Sequence, residues 1–168
     1  MKQVLLAAAL AAGLAFAAGL ALAGQADVAT GGRAYLAGDY AKALNELMPL
    51  ARQGEAEAQY LIGVMHAHGQ GVERNYPEAE SWYRQAAEQG RARGQALLGS
   101  MYAAGRSVPQ DFVLALKWLN LAASDAEKRN VTVKLRDIIA KKMTPAQIAE
   151  AQRLAREWMT AFEKRKKK

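Results

Sequence analysis

The residues best suited to chemistry are the only two histidines, His66 and His68, with Gly69 and Gly71 directly after them. Imidazoles are common zinc ligands, and a Gly-x-Gly can begin a phosphate-binding loop. On a helix, however, residues two apart point about 200° apart, whereas helical zinc pairs are spaced by four. A phosphate loop would also need a preceding strand and a longer glycine pattern. We therefore expect no metal and no cofactor at this stretch.

Other catalytic groupings are also missing from the sequence. None of the four serines, Ser81, Ser100, Ser107 and Ser124, lies in a G-x-S-x-G context. The close glutamate pairs lie on opposite sides of a helix, namely Glu55 with Glu57 and Glu78 with Glu80. The chain has no cysteine, which excludes disulfides, thiolate metal sites, a cysteine nucleophile and a lipid-anchor cysteine. The sequence predicts a protein that is not an enzyme.

The N-terminus has the pattern of a secretory signal peptide, assigned to residues 1–26. Lys2 precedes an uncharged run of mostly Ala and Leu from residue 4 to residue 24, which ends in small residues. Cleavage could follow Ala23 or Ala26, and the mature protein would then be periplasmic or secreted. The alternative is an uncleaved inner-membrane anchor at residues 4–24, because about 20 apolar residues can span a bilayer.

The chain repeats itself with an offset of 36 residues. Glycines, tryptophans and alanines recur in one register, pairing Gly63 with Gly99, Gly69 with Gly105, Trp82 with Trp118 and Ala86 with Ala122. A shorter copy precedes them, so the repeats divide into units of about 29–54, 55–90 and 91–126. The two full units predict helices over about 55–68 and 76–89, and over about 92–104 and 111–124. Such helix pairs must stack to bury their apolar faces.

The repeats follow the pattern LG-x-x-Y-x-x-G-x-G-V and then A-x-x-W-Y-x-x-A-A-x-x-G. This pattern resembles the Sel-one-like repeat (SLR) family, relatives of tetratricopeptide repeats. The resemblance implies an all-α fold, a right-handed α-solenoid of about three helix-turn-helix units that binds other proteins without catalysis. Its structural positions fall on Gly63, Gly69, Trp82, Gly99, Gly105 and Trp118. Two residues depart from the pattern: His66 stands where Tyr102 and Tyr35 stand in the other copies, and Ser107 replaces the second turn glycine.

By analogy with tetratricopeptide grooves, the first helix of each unit is expected to line a protein-binding groove. The residues expected there are Arg33, Tyr60, Val64, Ala67, Ala96, Ser100 and Ala103. The function expected is a non-catalytic scaffold for protein–protein interaction in the bacterial cell envelope. Two alternatives stay open at this point, a cell-envelope hydrolase and a structural protein held at a membrane surface by its basic end.

Charge is divided unevenly along the chain. Residues 27–127 hold nine basic and twelve acidic residues, a net of −3, whereas residues 128–168 hold thirteen and four, a net of +9. Residues 127–163 are predicted to form capping helices, one of them starting at Thr144 with Gln147 as capping partner. An apolar stripe there is expected to cover the last repeat. The tail, residues 164–168, could contact an anionic surface through Lys164, Arg165, Lys166, Lys167 and Lys168. No nucleic-acid partner is expected.

Overall fold

The computed structural model describes residues 27–123 and 129–167, and these form eight α-helices and no strand. The helices are α1 (Val28–Leu36), α2 (Tyr40–Arg52), α3 (Ala56–His68), α4 (Tyr76–Glu88), α5 (Ala92–Ala104), α6 (Phe112–Ala122), α7 (Arg129–Ala140) and α8 (Pro145–Lys166). The predicted signal peptide, residues 1–26, and the last residue of the predicted basic tail, Lys168, lie outside the described residues.

Local sequence fixes where most helices begin and end. The side chains of Asn75 and Asp111 accept hydrogen bonds from first-turn backbone N–H groups of α4 and α6, which would otherwise lack partners. Gly69 and Gly105, with φ of 69° and 64°, end α3 and α5 in the left-handed conformation that favours glycine. The helix bounds in the two full units therefore lie within two residues of those predicted.

The helices pack as consecutive antiparallel pairs, α1–α2, α3–α4 and α5–α6, and each pair packs against the next. One apolar cluster centres on Leu47, Ile62 and Met65, and a second on Leu98 and Trp118. Helix pairs that stack on one another are the architecture of an α-solenoid, so the predicted fold class is confirmed.

Two buried glutamines link neighbouring units. Gln59 Nε2 donates to the carbonyl oxygen of Ala51 over 3.1 Å, and Gln95 Nε2 donates to that of Ala87 over 3.2 Å. Each glutamine lies near the start of the first helix of its unit and reaches the last turn of the preceding helix. Since a buried amide without a partner costs about 1–3 kcal/mol, these bonds help to fix the register of one unit on the next.

The C-terminal helices cover α6. Both α7 and α8 pack on it, and α8 begins with the predicted capping box between Thr144 and Gln147. Ala151 and Ala155 of α8 are buried, and Trp158 makes an edge-to-face contact with Trp118 at a centroid distance of 5.9 Å. None of the helices within residues 27–123 and 129–167 is long and apolar enough to cross a bilayer.

Candidate functional site

A cleft of about 290 Å³ opens between the second and third repeat units. It lies where α3 ends and α4 begins, and α5 forms its other wall. The apolar part of the lining comes from Ala67, Tyr83, Leu97 and Met101, and the polar part from His68, Arg74, Tyr76, Ser100 and Arg106. We call this site the inter-unit cleft. An apolar lining with a few convergent polar groups is typical of ligand-binding sites.

The turn that follows α3 brings Arg74 to the cleft. Gly69 reverses the chain, and the backbone N–H of Asn75 donates to the carbonyl of His66 over 2.9 Å, which closes the turn. A side chain on Gly69 would begin 3.3 Å from Cβ of Arg74, tighter than an ordinary contact. The glycine therefore allows Arg74 to pack close to the end of α3, next to the start of α4.

Arg74 and Arg106 meet at one aromatic ring. The guanidinium carbons of Arg74 and Arg106 lie 5.8 Å and 5.0 Å from the centroid of the Tyr76 ring. Both distances are within the range of a cation–π interaction. Arg74 belongs to the turn of the second unit and Arg106 to the turn of the third, so the pair exists only because the two units stack.

The charge of these two arginines is not compensated within the described residues. The other arginines of the two units pair with glutamates: Arg84 with Glu80, and Arg91 and Arg93 with Glu57. Within residues 27–123 and 129–167, by contrast, neither Arg74 nor Arg106 forms an ion pair, and no carboxylate lines the inter-unit cleft. The cleft is therefore a locally cationic site with apolar walls.

Two of the residues predicted for the groove, Ala67 and Ser100, line the inter-unit cleft. Ala96 and Ala103 are half-buried on the same helix as Ser100. Val64 is buried in the core and leaves little of its side chain for a ligand. These positions share the surface formed by the first helices, but they do not all converge on one cavity.

The other two predicted groove residues lie away from the inter-unit cleft. Arg33 is exposed on α1, where its guanidinium donates to Thr30 Oγ1 over 3.0 Å. Tyr60 is half-buried, with the guanidinium of Arg93 5.6 Å from the ring centroid. Burial raises the pKa of Tyr60, and the charge of Arg93 opposes that rise. Because Arg93 also pairs with Glu57, the polar groups around Tyr60 are already engaged with one another.

Sequence reasoning missed the charged part of the cleft. The offset of 36 places Arg74 opposite Gln110 and Arg106 opposite Gln70, so the repeat gives no sign that the two arginines meet. His68 pairs with Ala104 at the same offset, so the repeat assigns it no fixed role, and it lies in the cleft lining. The sequence indicates a binding role for the two arginines only through their place in polar turns between helices, where binding residues are often found.

The stacked helix pairs form a helical-repeat solenoid with an open cleft between its second and third units. The family model of the Sel1 repeat matches residues 56–90 and 92–126, so the second and third units are Sel1 repeats. The resemblance stated from the sequence is thus confirmed. Sel1 repeat proteins generally mediate protein–protein interactions and are typically non-catalytic scaffolds.

Two solved structures share the fold. One is a protective antigen present in uropathogenic Escherichia coli strains, which displays an SLR fold. The match has a TM-score of 0.74 and 28% sequence identity, and it covers 83% of this chain and 32% of that one. The other is a Sel1 repeat protein from Oxalobacter formigenes, with a TM-score of 0.64 and 31% identity over 79% of this chain and 56% of that one. The chain thus spans about a third and just over half of their lengths. No curated protein matches the chain.

Proposed function

We propose that this chain is a non-catalytic scaffold that binds a protein partner in the inter-unit cleft. The observation that carries the proposal is the pair of uncompensated arginines, Arg74 and Arg106, beside an apolar wall on the surface of the first helices. A charged group without a partner at a cleft is available to a ligand, because binding does not first require an internal ion pair to be broken.

The rest of the first-helix surface supports the same assignment. Around Tyr60, Arg91 and Arg93 both pair with the single carboxylate of Glu57. The arginines of that region are therefore engaged in ion pairs, whereas among the described residues Arg74 and Arg106 form none and lie beside apolar area. A partner that lies along α3 and α5 would gain most of its contacts at the cleft end.

A thiol introduced at the cleft tests the proposal directly. Because the chain contains no cysteine, a Ser100→Cys variant carries one unique thiol that a bulky maleimide can modify. Ser81, exposed on α4 and absent from the cleft lining, provides the matched control as Ser81→Cys. Both full-length variants are immobilised, before and after modification, and the bacterial envelope proteins that they retain are identified by mass spectrometry.

The expected result is a partner that unmodified Ser100→Cys retains and modified Ser100→Cys loses. Modified Ser81→Cys should retain that same partner. Retention that is unaffected by the modification at position 100 would contradict binding in the cleft. Turnover of a cell-wall or β-lactam substrate by the purified protein, lost in His66→Ala, would contradict the non-catalytic assignment and favour the hydrolase alternative.

We also propose that the protein acts in the cell envelope after removal of residues 1–26. The support is the charged start, apolar centre and small-residue exit of that segment. N-terminal sequencing of the protein recovered from envelope fractions tests this, and an N-terminus at Gly24 or Asp27 is expected. Retention of Met1 in a membrane pellet would favour the anchor at residues 4–24 instead.

A second contact is proposed at the basic end of α8. Lys164, Arg165, Lys166 and Lys167 are all exposed there, and basic residues near an anionic membrane contribute about 1 kcal/mol each. Deleting residues 164–168 should weaken sedimentation of the protein with vesicles that contain anionic lipid. Unchanged sedimentation would contradict this contact and would leave the cleft proposal unaffected.

A further inference from the structure

We infer that the inter-unit cleft recognises an acidic segment of the partner, in which carboxylate side chains flank an apolar one. The carboxylates would bind Arg74 and Arg106, and the apolar side chain would pack against Ala67 and Leu97. This inference rests on the proposed function and specifies the chemistry of its partner.

The N–H donors of Arg74 and Arg106 are available to a ligand. A guanidinium has five N–H donors in a plane, which match the two oxygens of a carboxylate. The contact of each guanidinium with the Tyr76 ring occupies no oxygen acceptor, so the N–H groups stay available to a carboxylate. The nearest carboxylates in sequence, Glu73 and Glu78 for Arg74 and Asp111 for Arg106, form no ion pair with either arginine in the part of the chain described.

The positive charge of the cleft favours a negatively charged ligand. Two cations from neighbouring units lie within 6 Å of one ring centroid, and no acidic residue lines the cleft in the described part of the chain. A basic segment would be repelled, and a neutral one would leave both charges without a partner. Electrostatic complementarity of this kind selects partners more than it adds affinity.

The apolar wall of the cleft favours a peptide over a small inorganic anion. Leu97 and Ala67 are half-buried at the cleft, and Met101 and Tyr83 lie behind them as buried core residues. A bare inorganic anion would leave this wall in contact with water. A peptide that places an apolar side chain between its carboxylates covers the wall and reaches both arginines, so the cleft favours a protein segment over a free anion.

Two short peptides test the inference with the full chain. Both are acetylated, amidated and labelled with fluorescein; one reads Asp-Leu-Glu-Leu-Asp and the other is its amide counterpart, Asn-Leu-Gln-Leu-Asn. Fluorescence anisotropy should show the acidic peptide binding at least about tenfold more tightly, as expected for hydrogen bonds to charged groups. Inorganic phosphate at the same concentration should not displace it.

Variants assign the binding to the two arginines. The double variant Arg74→Gln/Arg106→Gln should bind the acidic peptide about tenfold more weakly. The control Arg52→Gln/Arg156→Gln removes the same charge at exposed positions outside the cleft and should bind normally. Tyr76→Phe keeps the ring and should retain binding, whereas Tyr76→Leu removes the surface that positions both guanidiniums and should weaken binding severalfold.

Several results would overturn the inference: no binding of the acidic peptide, equal binding of the two peptides, equal losses in the two double variants, or displacement by phosphate. If the cleft double variant does not fold, the comparison of the two peptides and of the two Tyr76 variants still tests whether the cleft binds the acidic peptide. Loss of the partner on modification at Ser100, together with equal binding of the peptides, would leave the scaffold proposal intact and remove only the acidic segment.

Discussion

The second repeat unit, residues 55–90, and the third, residues 91–126, follow one plan in different surroundings. Both end the first helix at a left-handed glycine and both use a buried glutamine to hold the preceding helix. They differ in what covers them. The second unit lies between two other units, whereas the third is covered on one side by α7 and α8.

The difference shows that equal repeat positions need not have equal roles. Trp118 is 2% exposed and contacts Trp158 of α8, whereas its repeat counterpart Trp82 is half-buried and packs against the first apolar cluster. Tyr102 is buried and hydrogen-bonded, whereas its counterpart His66 has a buried Nδ1 without a partner among the described residues. Pairs of equivalent substitutions therefore measure how much the surroundings contribute.

The largest difference is expected for the two tryptophans. Trp118→Ala should lower the free energy of unfolding by about 3–5 kcal/mol, because it empties a buried site and removes the contact with α8. Trp82→Ala should lower it by at least about 1 kcal/mol less, since part of that ring remains exposed. Urea denaturation of the two variants gives both values, and equal losses would contradict the role assigned to α8.

The helix glycines give the next largest effect. A Cβ on Gly63 would lie 2.6 Å from the ring of the buried Tyr83, whereas one on Gly99 would lie 3.0 Å from the more adaptable Leu119 side chain. Overpacking costs about 1–3 kcal/mol, and the better helix propensity of alanine returns up to about 1 kcal/mol. Gly63→Ala should therefore destabilise the protein clearly more than Gly99→Ala in thermal unfolding. The reverse order would show that the Tyr83 ring moves easily.

Exchanging the aromatic residues in the Tyr position of the two units should have a smaller effect. Tyr102→His should destabilise by about 1–2 kcal/mol, because the Tyr102 hydroxyl accepts a hydrogen bond from Arg84 over 2.7 Å. His66→Tyr should be neutral or mildly stabilising, since it removes the unpartnered Nδ1. His66→Ala should lose roughly 1–3 kcal/mol through packing. A destabilising His66→Tyr, measured by calorimetry, would mean that the position is not interchangeable between units.

The smallest effect is expected for Ser107, the second residue after the left-handed Gly105. Ser107 has φ of 69°, close to the 72° of its counterpart Gly71, although this conformation disfavours side chains. Ser107→Gly should therefore stabilise by about 0.5 kcal/mol, after allowing for the greater freedom of glycine in the unfolded chain. Gly71→Ser should destabilise, since its Cβ would lie 2.8 Å from Cβ of Tyr40. A shift of the same sign in both variants would contradict this reading.

Much of the fold could be predicted because its determinants are local and repeated. The glycine and tryptophan spacing gave the helix pairs, and Thr144 with Gln147 gave the start of α8. The course of α8 could not be predicted, because Phe162 reaches Gly90, a contact between residues far apart in the sequence. The cleft was also beyond prediction, since Arg74 and Arg106 occupy unequal repeat positions and meet only after the units stack.

The most direct test of the account is to map where the acidic peptide contacts the protein. The full chain, isotopically labelled, is titrated with that peptide and followed by amide chemical shifts. If the peptide binds in the inter-unit cleft, the largest shifts will occur from Ala67 to Tyr76 and from Leu97 to Arg106, the two segments that form most of the cleft. Shifts confined to the basic end of α8, from Lys164 to Lys167, or to the exposed face of α2 would contradict it.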